Sequence, residues 1–284
     1  MLRRLVRGSV SRLQNWLEEG FEPEPDPKRE EFIHTWLNSV FAKMAKQGMR
    51  RSYAWGVLQG ANLGKALGLK RVSVLEFGVA GGNGIVALEQ IAASVESVLD
   101  VKIDVYGFDS GVGLPGSGNI RDVPNLVRGG WLKMDRKKLE ERLQRAKLLL
   151  GQIEDTVPEF VKANPAPVAF IACDLVLYTS TIHALHLFDA PCQMLLPRIY
   201  SYFDDTLGFT FGDCNGERLA IAEFNTSHTH RKLSPIYGLR YYLPERLANE
   251  GWVEKYWIAH LFDHPRYSDK DNLVRDHQLE LLPD

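Results

Sequence analysis

The stretch Val72-Ser73-Val74-Leu75-Glu76-Phe77-Gly78-Val79-Ala80-Gly81-Gly82-Asn83-Gly84 decides the fold class. Its first half is a short β-branched and apolar run, the composition of a strand buried on both faces. Its second half is a glycine-rich turn. Beyond Gly84, the residues Ile85, Leu88, Ala92, Val95 and Leu99 share one helical face. Strand, turn and helix therefore follow one another as they do at the start of a βαβ crossover.

The same alternation continues downstream. Strand-like runs cover 102–108, 147–150, 167–173, 198–203, 239–243 and 253–262, and helical patterns cover 135–144, the region of Pro158, 180–187, 215–224 and, briefly, 244–251. Strands alternating with helices predict an α/β fold: a Rossmann-like, doubly wound, seven-stranded and mostly parallel sheet. Upstream, Pro23, Pro25 and Pro27 lie within Phe21–Lys28, which reads as a non-helical linker because alternate prolines remove backbone donors. Apolar positions from Phe32 to Leu67 suit two or three helices. The chain thus divides into an amphipathic segment and linker (1–28), an N-terminal helical extension (29–70) and the α/β domain (71–284).

The first sixteen residues hold Arg3, Arg4, Arg7 and Arg12 without an acid, and Leu2, Leu5, Val6, Val10 and Leu13 recur at helical spacing. A packed amphipathic helix, an organellar transit peptide and a membrane-surface helix all fit that pattern. No apolar run is long enough to span a bilayer. Thirty-four basic against thirty-six acidic residues leave a net charge of −2, so no broad nucleic-acid-binding face is expected. The three cysteines, Cys173, Cys192 and Cys214, form no CxxC pair. That usage points to a reducing, cytoplasmic setting and away from zinc.

In open parallel sheets the ligand lies beyond the carboxyl ends of the strands, where a glycine turn lets backbone amides approach it closely. Here Glu76 stands two residues before the first glycine of the turn. A dinucleotide fingerprint fits only at Gly82, Gly84 and Ala87, too far beyond the strand. A carboxylate at the strand end also suits an amino group better than a pyrophosphate. The residues favour a positively charged nucleoside without phosphate; a nicotinamide cofactor is the weaker alternative.

This turn resembles motif I of the class I S-adenosylmethionine-dependent methyltransferases. Four further runs are similar to motifs of the macrocin O-methyltransferase family: Tyr106 to Pro115 (Tyr-Gly-Phe-Asp-Ser-Gly-Val-Gly-Leu-Pro), Gly151 to Pro158, Asp174 to Thr181, and Phe203-Asp204-Asp205. The resemblance covers roughly residues 71–205. Two positions depart from it: Val176 stands where the family carries a second Asp, and Thr206 where it carries a Tyr.

The resemblance implies that Gly78 to Gly84, with Ala80, Gly82 and Asn83, wraps the methionine half of S-adenosylmethionine while Glu76 faces its amino group. Asp109, beside Ser110, would accept both ribose hydroxyls, a task suited to its two acceptor oxygens. Gln152 and Ile153 would border the adenine. Asp174, Asp204 and Asp205 would hold Mg2+, which positions and acidifies an acceptor hydroxyl for in-line attack on the methyl group. Asp174 thereby takes a catalytic as well as a cofactor-side role. His183 and His186 share a helix face, and His183 is the chosen candidate for the general base; His228 and His230 are further possibilities. Tyr53, Trp55, Trp131 and Tyr178 are candidate aromatics for the mouth, with core packing as the alternative.

The expected function is O-methylation of a small hydroxylated or sugar-like acceptor, with homo-oligomerisation possible through the N-terminal helices. A methyltransferase-like fold that binds a nucleoside or a protein partner without methyl transfer is the alternative, suggested by Val176 and Thr206.

Overall fold

The computed structural model describes residues 27–46, 50–116, 118–208 and 212–269. The amphipathic segment and most of the proline linker lie outside them. Pro27 and Lys28, assigned above to the linker, instead open helix α1 (Pro27–Lys46). Proline suits a first helical position because the amide it lacks would have no intrahelical acceptor there.

Among the described residues, seven strands form one sheet in the order β3-β2-β1-β4-β5-β7-β6. They are β1 (Arg71–Phe77), β2 (Lys102–Asp109), β3 (Lys147–Leu150), β4 (Val168–Cys173), β5 (Leu195–Phe203), β6 (Arg231–Pro235) and β7 (Tyr256–Leu261). The first five run parallel. β7 inserts antiparallel between β5 and β6. Crossovers are made by α3 (Asn83–Glu96), α4 (Arg136–Arg142), α5 (Ile153–Lys162) and α6 (Tyr178–Leu185), and α7 (Gly216–Ser227) precedes β6.

The C-terminal strands differ from expectation. Leu239–Tyr242 is a 3-10 turn and not a strand, while the strand beside β7 is Arg231–Pro235. Only Leu233 of β6 is buried, so alternation could not announce it; pairing with β7 makes the strand. The short helix expected over 244–251 is α8 (Glu245–Ala248).

Helix α2 (Ala54–Ala66) lies directly on the sheet, against β4 and β5. Gly56, Gly60 and Gly64 recur every fourth residue and form a bare strip on its inner face. A Cβ at Gly60 would stand 2.4 Å from the Ala169 carbonyl oxygen, so no side chain fits between this helix and β4. On its flank Trp55 packs edge-on against Tyr200 and Tyr256. None of the described helices is long and apolar enough to cross a membrane.

Strand order reverses between the parallel neighbours β1 and β4: from β1 the chain moves outward to β2 and β3 on one side, and from β4 to β5 on the other. A sheet of this kind opens a crevice at that switch point, beyond the carboxyl ends of the strands.

Candidate functional site

The ends of β1 and β4 are held together where the crevice opens. Asp174 N donates to Phe77 O, and Gly78 N donates to Phe108 O, each at 2.9 Å. Gly78 has φ +87°, and a Cβ there would lie 2.0 Å from the Asp174 carbonyl oxygen. Only glycine satisfies both demands.

Asp109, the last residue of β2, joins two loops. Its Oδ2 accepts from Ala80 N at 2.8 Å and its Oδ1 from Gly111 N at 2.6 Å. Each carboxylate oxygen keeps a further lone pair for a ligand. Gly78, Ala80, Asp109 and Ser110 line one side of a cleft, and Gln152 and Ile153, at the start of α5, line another. Asp174 and His183 close the β4 side.

Glu76, Gly82 and Asn83 are not part of this lining. Glu76 is buried beneath the turn, so close to Gly84 that a Cβ there would collide with Oε1. Its Oε1 accepts from the Tyr53 hydroxyl at 2.9 Å, and Oε2 has no hydrogen-bond partner among the described residues. Burial pushes this carboxyl up to about 8, against the smaller opposing pulls of Tyr53 and Arg50. Gly82 adopts φ +83° and packs on Leu139, while Asn83 is exposed at the first turn of α3. Glu76 supports the glycine turn from beneath, and Gly82 and Asn83 lead from the turn into α3.

Asp174, Asp204 and Asp205 converge at the ends of β4 and β5, with carboxylate oxygens within 4.8 Å of one another. Two cations meet them. Arg50 Nη1 lies 2.7 Å from Asp174 Oδ2, and Arg50 Nη2 lies 3.5 Å from Asp204 Oδ2. Lys255 Nζ stands 3.0 Å from Asp204 Oδ1, which also accepts from the Tyr202 hydroxyl at 2.9 Å. Burial raises the Asp174 carboxyl and opposes ionisation of Asp204, but Arg50 and Lys255 leave Asp204 below its ordinary range.

Asp205 Oδ2 accepts from Val176 N at 3.1 Å. Behind it, the fully buried Glu217 accepts from Asp205 N at 2.9 Å and from Leu175 N at 3.4 Å. Burial raises both of these carboxyls. Val176 itself has φ +60°, and the Leu177 amide donates to Leu175 O across it at 2.5 Å. A β-branched residue in this tight turn is strained, and the buried contacts of Asp205 and Glu217 hold it there.

Among the histidines, His183 lies on the cleft, whereas His186 is near Asp189 and His228 pairs with Asp189 at 2.8 Å. Of the aromatics, Tyr53, Trp55 and Tyr178 are buried and Trp131 is exposed. Sequence reasoning missed Arg50, Tyr53 as a partner of Glu76, Lys255 and Glu217. A basic or acidic residue in those stretches carries no local signal, because the partners come from distant strands.

No family model matches the chain, and no curated protein matches it. Among solved structures, the calicheamicin methyltransferase CalS11 superposes with a TM-score of 0.50 at 19% identity, covering 75% of this chain and 90% of that one. The O-methyltransferase NovP gives a TM-score of 0.47 at 18% identity over 62% of this chain and 72% of its own. An O-methyltransferase from Bacillus cereus in complex with SAH gives 0.39 at 13% identity, covering 79% and 89%. The superposition on CalS11 shows that the chain shares that methyltransferase's fold, an open and mostly parallel α/β sheet with a cleft at its switch point.

Proposed function

We propose that the chain is an S-adenosylmethionine-dependent methyltransferase acting on a hydroxyl of a small, sugar-like acceptor, as its likeness to the macrocin O-methyltransferase motifs suggests. The observation that carries the reading is Asp109: a carboxylate at the tip of β2, beside the bare backbone of Gly78 and Ala80, at the switch point of the sheet. This donor set suits a nucleoside with vicinal hydroxyls. When bound, S-adenosylmethionine supplies a methyl group on a positively charged sulfur.

In this reading Asp109 accepts hydrogen bonds from the ribose hydroxyls, and Gln152 and Ile153 flank the base. Gly78 and Ala80 leave room for the amino-acid end. Asp174 faces the reacting region, and His183 receives the acceptor's hydroxyl proton on an imidazole nitrogen, within a cleft that both residues line. Val112, Trp131 and Leu132, which lie between β2 and α4, are exposed, and of these Leu132 reaches the cleft.

Calorimetry with S-adenosylhomocysteine tests the cofactor assignment. Saturable binding supports it, and absence of heat up to about 1 mM ligand counts against it. Turnover with hydroxylated acceptors separates an enzyme from a methyltransferase-like fold that binds a nucleoside or a protein partner: binding without release of S-adenosylhomocysteine from any acceptor favours the second.

A further inference from the structure

We propose that Arg50 is a built-in cation of the Asp174–Asp204–Asp205 cluster, and that with Lys255 it takes the place a divalent metal ion would otherwise occupy there. The distances carry the case. Asp174 Oδ2 is committed to Arg50 at 2.7 Å, and both oxygens of Asp204 face a cation, Arg50 at 3.5 Å and Lys255 at 3.0 Å. The third carboxylate gives its Oδ2 to the Val176 amide. A divalent ion needs oxygens at about 2.0–2.6 Å and would have to displace the guanidinium to reach them.

Charge leads to the same conclusion. Three carboxylates already face two fixed cations, so a divalent ion would compete for negative charge that Arg50 and Lys255 largely neutralise, and would strip a partly buried guanidinium of its partners. Position 176 offers no compensating ligand, because Val176 is apolar and packs with Val123 and Leu177. Arg50 is also anchored from the other side: Nη1 donates to the Tyr53 hydroxyl at 2.8 Å, and the guanidinium lies 5.4 Å from the Tyr53 ring centroid. Tyr53 is fully buried, so the guanidinium rests on a rigid support.

On the methyltransferase reading, Arg50 is a positioning residue: it fixes Asp174 at the reacting end of the cleft, and the chemistry proceeds without an exchangeable metal. The test is Mn2+ titration of the full chain, with free Mn2+ followed by electron paramagnetic resonance. The wild-type protein should show no saturable site up to about 1 mM. Arg50→Gln should bind Mn2+ at least about tenfold tighter, and adding Asp204→Asn should abolish that gain.

A wild-type site with a Kd below about 100 µM that Asp204→Asn removes would overturn the proposal. So would a folded Arg50→Gln protein that binds Mn2+ no better than wild type. Should Arg50→Gln not fold, Arg50→Met, which keeps the length of the side chain without its charge, serves in its place, with the same gain expected and the same lack of gain contradicting the proposal. S-adenosylhomocysteine binding, measured in parallel with and without EDTA, reports on the functional reading separately. Loss of nucleoside binding with no Mn2+ site refutes that reading and leaves the internal cation standing.

Discussion

The Tyr53 hydroxyl donates to Glu76 Oε1 at 2.9 Å and accepts from Arg50 Nη1 at 2.8 Å. This one hydroxyl connects the acid beneath the glycine turn to the carboxylate cluster at the ends of β4 and β5. The segment before α2, which the sequence places outside the α/β domain, therefore supplies the residues that organise both ends of the candidate site. Its geometry makes several outcomes predictable.

Tyr53→Phe removes a donor from a buried carboxyl and an acceptor from Arg50 while leaving the ring packing in place. The expected cost is about 1–3 kcal/mol, read as a lower urea midpoint with an unchanged m-value. A variant as stable as wild type would show that the hydroxyl is not part of the link.

Glu76 gives a pH dependence of known sign. In the unfolded chain its carboxyl ionises in the ordinary range, whereas in the folded protein it holds its proton up to about 8. The folded state then binds the extra proton, so its contribution to stability is present at low pH and declines as pH rises from about 4.5 to 8, by up to about 1.4 kcal/mol per pH unit. Glu76→Gln cannot ionise. Its stability relative to wild type should therefore improve steadily between pH 5 and 8 in denaturant titrations, and a pH-independent difference would contradict the assignment.

Gly60→Ala places a methyl group 2.4 Å from the Ala169 carbonyl oxygen, a backbone atom in the sheet's interior. Helix α2 must then lift from β4, at a cost of about 1–3 kcal/mol. In a chain of this size that corresponds to a fall in Tm of about 2–4 °C for each kcal/mol. An unchanged Tm would mean that the helix does not sit this closely on the sheet.

Much of this architecture is legible in the sequence, for reasons that particular residues make plain. The β-branched run ending at Phe77 and the turn from Gly78 to Gly84 announce a buried parallel strand and its crossover, because both depend on local composition. Asp109 and Asp174 are equally readable as residues at strand ends. Other features depend on partners far along the chain. Strand β6 buries only Leu233 and exists through its pairing with β7. Leu239–Tyr242 looks like a strand by its aromatics but coils into a 3-10 turn after Gly238 at φ +74°. Glu76 promises an acid facing the ligand, and burial beneath Gly84 takes it out of the cleft lining. Arg50 gives no local sign that Asp174 and Asp204 await it.

Asp109→Ala deletes the carboxylate that bridges Ala80 and Gly111, and with it the acceptor assigned to the ribose. S-adenosylhomocysteine affinity should fall at least about tenfold in calorimetry, equivalent to about 1.4 kcal/mol. Asp109→Asn, which keeps one oxygen acceptor but loses the charge, should fall between this variant and wild type. Unaltered affinity in Asp109→Ala would remove the residue from the binding site.

The central claim is that the cleft between the glycine turn and Asp109 holds a nucleoside bearing a sulfur-linked amino-acid tail. A crystal structure of the protein with S-adenosylhomocysteine tests it most directly. Ribose hydroxyls should lie within about 3 Å of the Asp109 carboxylate, the base beside Gln152 and Ile153, and the tail over Gly78 and Ala80. A nucleoside seated elsewhere, or a diphosphate lying across the glycine turn, would contradict it.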